Sequence, residues 1–178
     1  MRAVIRVSLV GVALGLAVCP AGADGKKDRT GEMDAAARAF LKAYHAKDLD
    51  AMMAAADAPF VVGTLLKPKA LRTGGELRAE LKSRLSAGGP FPALVAKVLT
   101  WDQAITTMLS PDEERRTRER LRPVTDVTGA DGGYAALADK VGGKRSLLAI
   151  SDTRLLVGIR GGRAKVVGIV VDDPPGKR

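Results

Sequence analysis

Tyr44 and His45 stand side by side and are the first residues of the chain whose chemistry could include proton transfer. His45 is the only histidine and Cys19 the only cysteine of the 178 residues. A structural zinc, which needs about four such ligands, is therefore excluded, and so is a disulfide framework. Any Ser-His-Asp arrangement would have to pass through His45. Tyr44 falls on an apolar stripe with Phe40 and Leu41, which predicts a buried phenol holding one hydrogen bond. His45 lies one residue off that stripe at a helix C-terminus, where an exposed imidazole is expected in place of a catalytic one. Asp102 follows Trp101 at an expected strand end; it could point into a cavity mouth, and a turn-forming Asp is the commoner alternative. Asp126, Asp131 and Asp139 are assigned to turns or strand faces. Asp172-Asp173 lacks the loop spacing of a hard-cation site, and Gly161-Gly162 lacks the following helix of a phosphate loop. No catalytic residue, metal site or cofactor is assigned. The candidates for lining a ligand cavity are Phe40, Tyr44, Met53, Phe60, Trp101 and Asp102.

The chain opens with an expected export signal over residues 1–23. Arg2 and Arg6 supply a positive start, Val7–Val18 an apolar run, and Ala21-Gly22-Ala23 a small-x-small cleavage site. A run of about 12 residues is too short to span the ~30 Å hydrocarbon core, so no transmembrane anchor is expected. Leu16-Ala17-Val18-Cys19 offers a lipoprotein alternative, although Val18 stands where a small residue is usual and Pro20 follows directly. Cleavage after Ala23 removes the one cysteine, which suits an oxidising exterior. The expected location is the periplasm or the extracellular space.

Lys and Arg number 29 against 20 Asp and Glu, a net charge of +9. Such a surplus raises nucleic acid as a partner. The export signal argues against it, and with only 3% aromatic residues there is little for bases to stack on. Specific nucleic-acid binding is not expected; weak attraction to anionic envelope polymers remains open.

Several elements would position the candidates. After a charged tail, Met33, Ala37, Phe40, Leu41 and Tyr44 recur at helical spacing and predict a helix over 34–46. Asp48 caps a second, short helix carrying Leu49, Met52 and Met53, which Ala58-Pro59 stops. Phe60-Val61-Val62-Gly63 is the first strand. Leu77, Leu81 and Leu85 mark a third helix over 76–85, closed by Gly88-Gly89-Pro90. Residues 93–101 lean to a strand. Ser110-Pro111-Asp112-Glu113 starts a charged, solvated helix that is expected to end before Pro123. Beyond it, 124–128, 134–138, 145–150, 154–160 and 164–171 read as strands, the last two joined by a Gly161-Gly162 hairpin.

Two helices, a strand, a helix and then antiparallel strands make an α+β order. The phrase Ala36-Arg38-Phe40-Leu41-Lys42-Ala43-Tyr44, followed by His45-Ala46-Lys47-Asp48-Leu49-Asp50-Ala51-Met52-Met53, resembles the opening helix pair of the nuclear-transport-factor-2-like (NTF2-like) superfamily, which includes SnoaL-like polyketide cyclases. The closing hairpin is similar to that family's last strands, whereas the charged helix around 110–121 departs from its common pattern. The resemblance implies N-terminal helices packed on a curved, mainly antiparallel sheet, a cystatin-like or NTF2-like cone with an apolar floor. It also implies that an enzyme of this kind would place Asp, His, Tyr or Arg inside the cone, while other members only bind or assemble.

The expected organisation is a signal peptide over 1–23, a flexible tail over 24–32, a single α+β domain over 33–173 and a basic tail over 174–178. The expected function is that of an exported, non-catalytic module binding a small apolar ligand or a protein partner, a second copy of the chain included. The alternative is a small-substrate isomerase, dehydratase or cyclase. Intact-mass measurement on exported protein should find Asp24 as the first residue, and a chain beginning at a lipid-modified Cys19 would overturn the soluble assignment.

Overall fold

Three helices on one side of the molecule are set by the apolar spacing and caps of their own sequences. The structure, a computed structural model, describes residues 29–65, 67–88, 91–106, 111–141 and 147–172. The expected signal segment, Cys19 and the basic tail lie outside these residues. Helix α1 (Thr30–His45) buries Met33, Ala37, Phe40 and Leu41 along one face. It starts four residues earlier than expected, so residues 30–32 are its first turn and not part of a tail. Helix α2 (Leu49–Ala55) is capped by Asp48, whose carboxylate accepts from the Ala51 amide at 2.9 Å. It ends three residues before Ala58, and Pro59 stands within the first strand, after a cis peptide bond. Helix α3 (Gly74–Ala87) opens on a reciprocal cap. The Glu76 amide donates to the Thr73 hydroxyl at 3.2 Å, and the Glu76 carboxylate accepts from the Thr73 amide at 3.0 Å. The amides of Arg72 and Thr73 hold the Glu76 carboxyl below its ordinary pKa. Gly88, at φ +61°, closes the helix in the left-handed conformation that glycine adopts freely.

Six strands form one sheet: β1 (Ala56–Thr64), β2 (Pro68–Leu71), β3 (Leu94–Thr100), β4 (Gly133–Val141), β5 (Leu147–Arg160) and β6 (Arg163–Val171). Their order is β2-β1-β6-β5-β4-β3, antiparallel throughout except for the parallel pair β1–β6. Gly161 and Gly162 turn β5 into β6 with φ of +55° and +78°, the two positive angles that a two-residue hairpin requires. Register shifts in β1–β6, β3–β4, β4–β5 and β5–β6 bend the sheet, as bulges do. The two strands expected at 145–150 and 154–160 are a single strand, β5. The short edge strand β2 was not expected from the sequence.

The other face of the sheet carries a second helical layer, α4 (Trp101–Thr106) and α5 (Pro111–Thr128). Here the structure corrects the sequence twice. The segment 124–128 is helical and not a strand, and α5 runs straight through Pro123. An interior proline costs a helix about 3 kcal/mol through its missing amide and a clash with the preceding turn. That cost is offset because Val124 and Thr128, one turn apart, are buried under the helix.

The sheet therefore separates two apolar clusters. On the α1–α3 side, Phe40, Met33 and Met52 pack with Phe60, Leu137, Leu155 and Ile169. On the α4–α5 side, Trp101, Ile105 and Val124 pack with Val61, Leu156, Val167 and Val170. Strands covered on both faces lose polar alternation, and Leu155 to Gly158 and Val166 to Val170 are buried without a break. Phe40→Ala should lower unfolding stability by about 3–5 kcal/mol in urea titration, since the ring is fully buried; a loss below about 1 kcal/mol would mean that α1 packs by another face.

Candidate functional site

The alternation of the strands under α4 and α5 lays three polar side chains in a diagonal row. Tyr134 on β4 faces Leu156, and Arg154 lies two residues earlier on β5, on the same face. Arg154 in turn faces Val170, and Asp172 lies two residues beyond it. Diagonal neighbours across strands are about 7–8 Å apart, within reach of long side chains. The row closes one side of a cavity of about 190 Å³. Leu65, Trp101, Ala104, Ile105 and Leu121 form its apolar walls, and Thr117 adds a hydroxyl from α5.

The roof is held by named contacts. The indole Nε1–H of Trp101 donates to the Thr128 hydroxyl at 2.7 Å, inside the protein. Thr128 is 1% exposed, and its hydroxyl donates a hydrogen bond to the Thr125 carbonyl at 3.3 Å. The α5 terminus comes so close to the sheet that a Cβ at Gly158 would stand 2.8 Å from the Thr128 carbonyl oxygen, and only glycine leaves that space. An Arg160 Nη2–H donates to the Val127 carbonyl, which satisfies an end group of the helix. Further along, Arg118 of α5 donates to Glu114 at 2.9 Å and to Asp102 of α4 at 3.3 Å, tying the two helices together.

The electrostatics of the row are asymmetric. Arg154 Nη1 donates to the carbonyls of Ser151 and Thr153, and Nη2 donates to Asp172 at 2.6 Å. The side chains of this pair are 16% and 35% exposed. Burial pushes the Tyr134 phenol above its ordinary pKa; the charge of Arg154 pulls against that shift and Asp172 adds to it. At neutral pH the phenol is protonated and carries an O–H that can donate. The ring lies 5.5 Å from that of Trp101, centroid to centroid.

Of the six candidates read from the sequence, Trp101 lines this cavity. Phe40 and Phe60 are fully buried on the opposite side of the sheet, with Met53 packed against the same cluster. Tyr44 stacks on Phe91 at 4.3 Å, and the His45 Nε2–H donates to the Pro92 carbonyl at 3.1 Å. Together Tyr44 and His45 fasten the segment leading into β3 and stand apart from the cavity. Asp102 is not at a strand end but in the first turn of α4, facing Arg118. Tyr134, Arg154 and Asp172 were not singled out as a set. The signal that could have found them is the period of two linking Arg154 with Leu156, which the unbroken apolar run after Arg154 conceals. Among the described residues no group of three His, Cys, Asp or Glu side chains is arranged to hold a metal ion.

In a Tyr44→Phe variant Tyr134 is the only tyrosine, and its ultraviolet titration should have a midpoint above the ordinary value of 10.0. A raised pKa stabilises the fold below pH 10 and withdraws that contribution as pH rises through the shifted value. A midpoint at or below the ordinary value would place the phenol in water.

No family model matches the chain. No curated protein matches it. Solved structures do. An NTF-2-like protein of unknown function from Shewanella oneidensis is 14% identical at a TM-score of 0.43, the match covering 81% of this chain and 98% of that one. A ketosteroid isomerase-like protein from Erwinia carotovora is 15% identical at 0.45, covering 83% and 99%. An NTF2-like protein of unknown function from Pseudomonas putida is 11% identical at 0.43, covering 84% and 89%. These likenesses concern the fold alone.

Proposed function

We propose that the chain is an exported, non-catalytic module that holds a small apolar molecule between α4, α5 and the sheet. The observation that carries this reading is the cavity of about 190 Å³, apolar on most sides and polar along one. A dry cavity of about 150 Å³ takes up benzene, whereas drug-sized ligands occupy about 300–1,000 Å³. The space therefore suits one ring or a short branched chain.

The polar side of the cavity argues for binding. General acid–base catalysis needs a group that gains and loses a proton near the working pH. Tyr134 is shifted away from neutrality, Arg154 is a permanent cation, and the Asp172 carboxylate is occupied by Arg154. His45 and Tyr44, the pair with the most promising chemistry in the sequence, are engaged with Pro92 and Phe91 elsewhere. Export rests on the pattern of residues 1–23. Among the described residues no helix is long and apolar enough to cross a membrane.

Trp101 is the only tryptophan, so its indole N–H resonance reports directly on the cavity. Toluene and benzyl alcohol should shift that resonance saturably. Ala104→Phe, which fills the space, should weaken both by about tenfold or more, equivalent to ~1.4 kcal/mol. His45→Ala and Tyr44→Phe should leave both affinities within about twofold, a change under ~0.5 kcal/mol. Undiminished binding to Ala104→Phe would move the ligand elsewhere.

A further inference from the structure

We propose that the ligand of this cavity is a small hydrophobic carboxylate, held by Arg154 and the Tyr134 hydroxyl in the place that Asp172 now takes. This rests on the cavity being a binding site, and it names the chemical class that the site selects.

The donors on the polar side set the class. Among the described residues Arg154 uses Nη1 on two backbone carbonyls and Nη2 on Asp172, which leaves its Nε–H and one Nη2–H without a protein acceptor. The guanidinium nonetheless borders the cavity. Tyr134, protonated at neutral pH, stands beside it in the diagonal row and contributes an O–H. One fixed positive charge and one neutral donor, both on the same side of an apolar space, match one negative charge spread over two oxygens. A planar guanidinium also fits the two oxygens of a carboxylate with parallel hydrogen bonds. A neutral alcohol would use only one donor. A dianionic phosphate would bring more charge into a half-buried, otherwise apolar site than one arginine balances.

Asp172 is evidence that a carboxylate fits. Its oxygen already lies 2.6 Å from Arg154 Nη2. Yet this carboxylate belongs to the residue just after β6, whose amide donates to the Asp152 carbonyl at 2.8 Å. Its side chain is 35% exposed, so it borders water as well as the cavity. An incoming carboxylate would take a charge-assisted hydrogen bond that the fold has already oriented, while its hydrocarbon part displaces water from the walls of Trp101, Ile105 and Leu121. Asp172 acts as an internal competitor: it keeps the arginine paired when the cavity is empty and sets the affinity for the ligand below what the open site would give.

The test uses the full chain at neutral pH, with the Trp101 indole resonance as readout and benzoate, benzyl alcohol and toluene as probes of similar shape. Benzoate should bind about tenfold or more tightly than benzyl alcohol, as expected of a charge-assisted pair. Asp172→Asn should tighten benzoate about threefold or more by removing the competitor, and leave toluene unchanged. A gain of affinity cannot come from misfolding. Tyr134→Phe should weaken benzoate and spare toluene. If benzyl alcohol and toluene bind and benzoate binds no better, or if Asp172→Asn weakens benzoate, the carboxylate proposal is overturned and the apolar cavity stands. If none of the three binds, both readings fall.

Discussion

The hydrogen bond from the Trp101 indole to the Thr128 hydroxyl fixes the second layer of this protein. It joins the first residue of α4 to the last residue of α5, and beside it Thr100 pairs with Gly133, the end of β3 with the start of β4. The helical excursion between these strands thus leaves and returns at one point. Both partners are buried, and stranding either would cost about 1–3 kcal/mol. Gly158 lets the α5 terminus touch the sheet there. Once that end is fixed, Val124 and Leu121 must lie over Val167, Leu156 and Val170, and the cavity is the space that α4 and α5 leave unfilled.

The sheet consequently works as a partition. Large side chains close the α1–α3 side, where Phe40, Phe60, Met33 and Met52 are fully buried together. On the α4–α5 side the roof meets the sheet closely at Thr128, Arg118 pairs α5 with α4, and smaller side chains such as Ala104 line the space between. The bulky buried cluster on one face and the ring-sized space on the other follow the sizes of the residues sent to each.

What was legible in the sequence had a local cause. Helices α1, α2 and α3 were readable because their apolar stripes and caps act within a few residues, and the β5–β6 hairpin because Gly161-Gly162 suits its turn. The edge strand β2 escaped because four residues beginning with a proline carry no alternation. Residues 124–128 misled for two reasons at once: Pro123 reads as a stop, and Val124, Thr125, Val127 and Thr128 are β-branched. Burial of Val124 and Thr128 decided otherwise, and burial is a property of the fold, not of the segment. The candidate site failed in the same way. Trp101 was visible as a lone large aromatic, but Tyr134 and Arg154 lie on β4 and β5 and Asp172 just past β6, and they fall in one row only through register.

The place of β6 in the sheet governs the order in which the molecule can assemble. The last strand of the chain lies between β1 and β5, so β1–β2 on one side and β5–β4–β3 on the other have no direct ladder joining them. Until residues 163–171 are available, the growing polypeptide holds two separate ribbons, each with an open edge of unsatisfied amides. The parallel β1–β6 pairing spans most of the domain's length, and such distant closures are slow. Residues 163–171 are thus the seam on which both halves of the sheet depend, and removing them would leave two ribbons with nothing to hold them in one sheet.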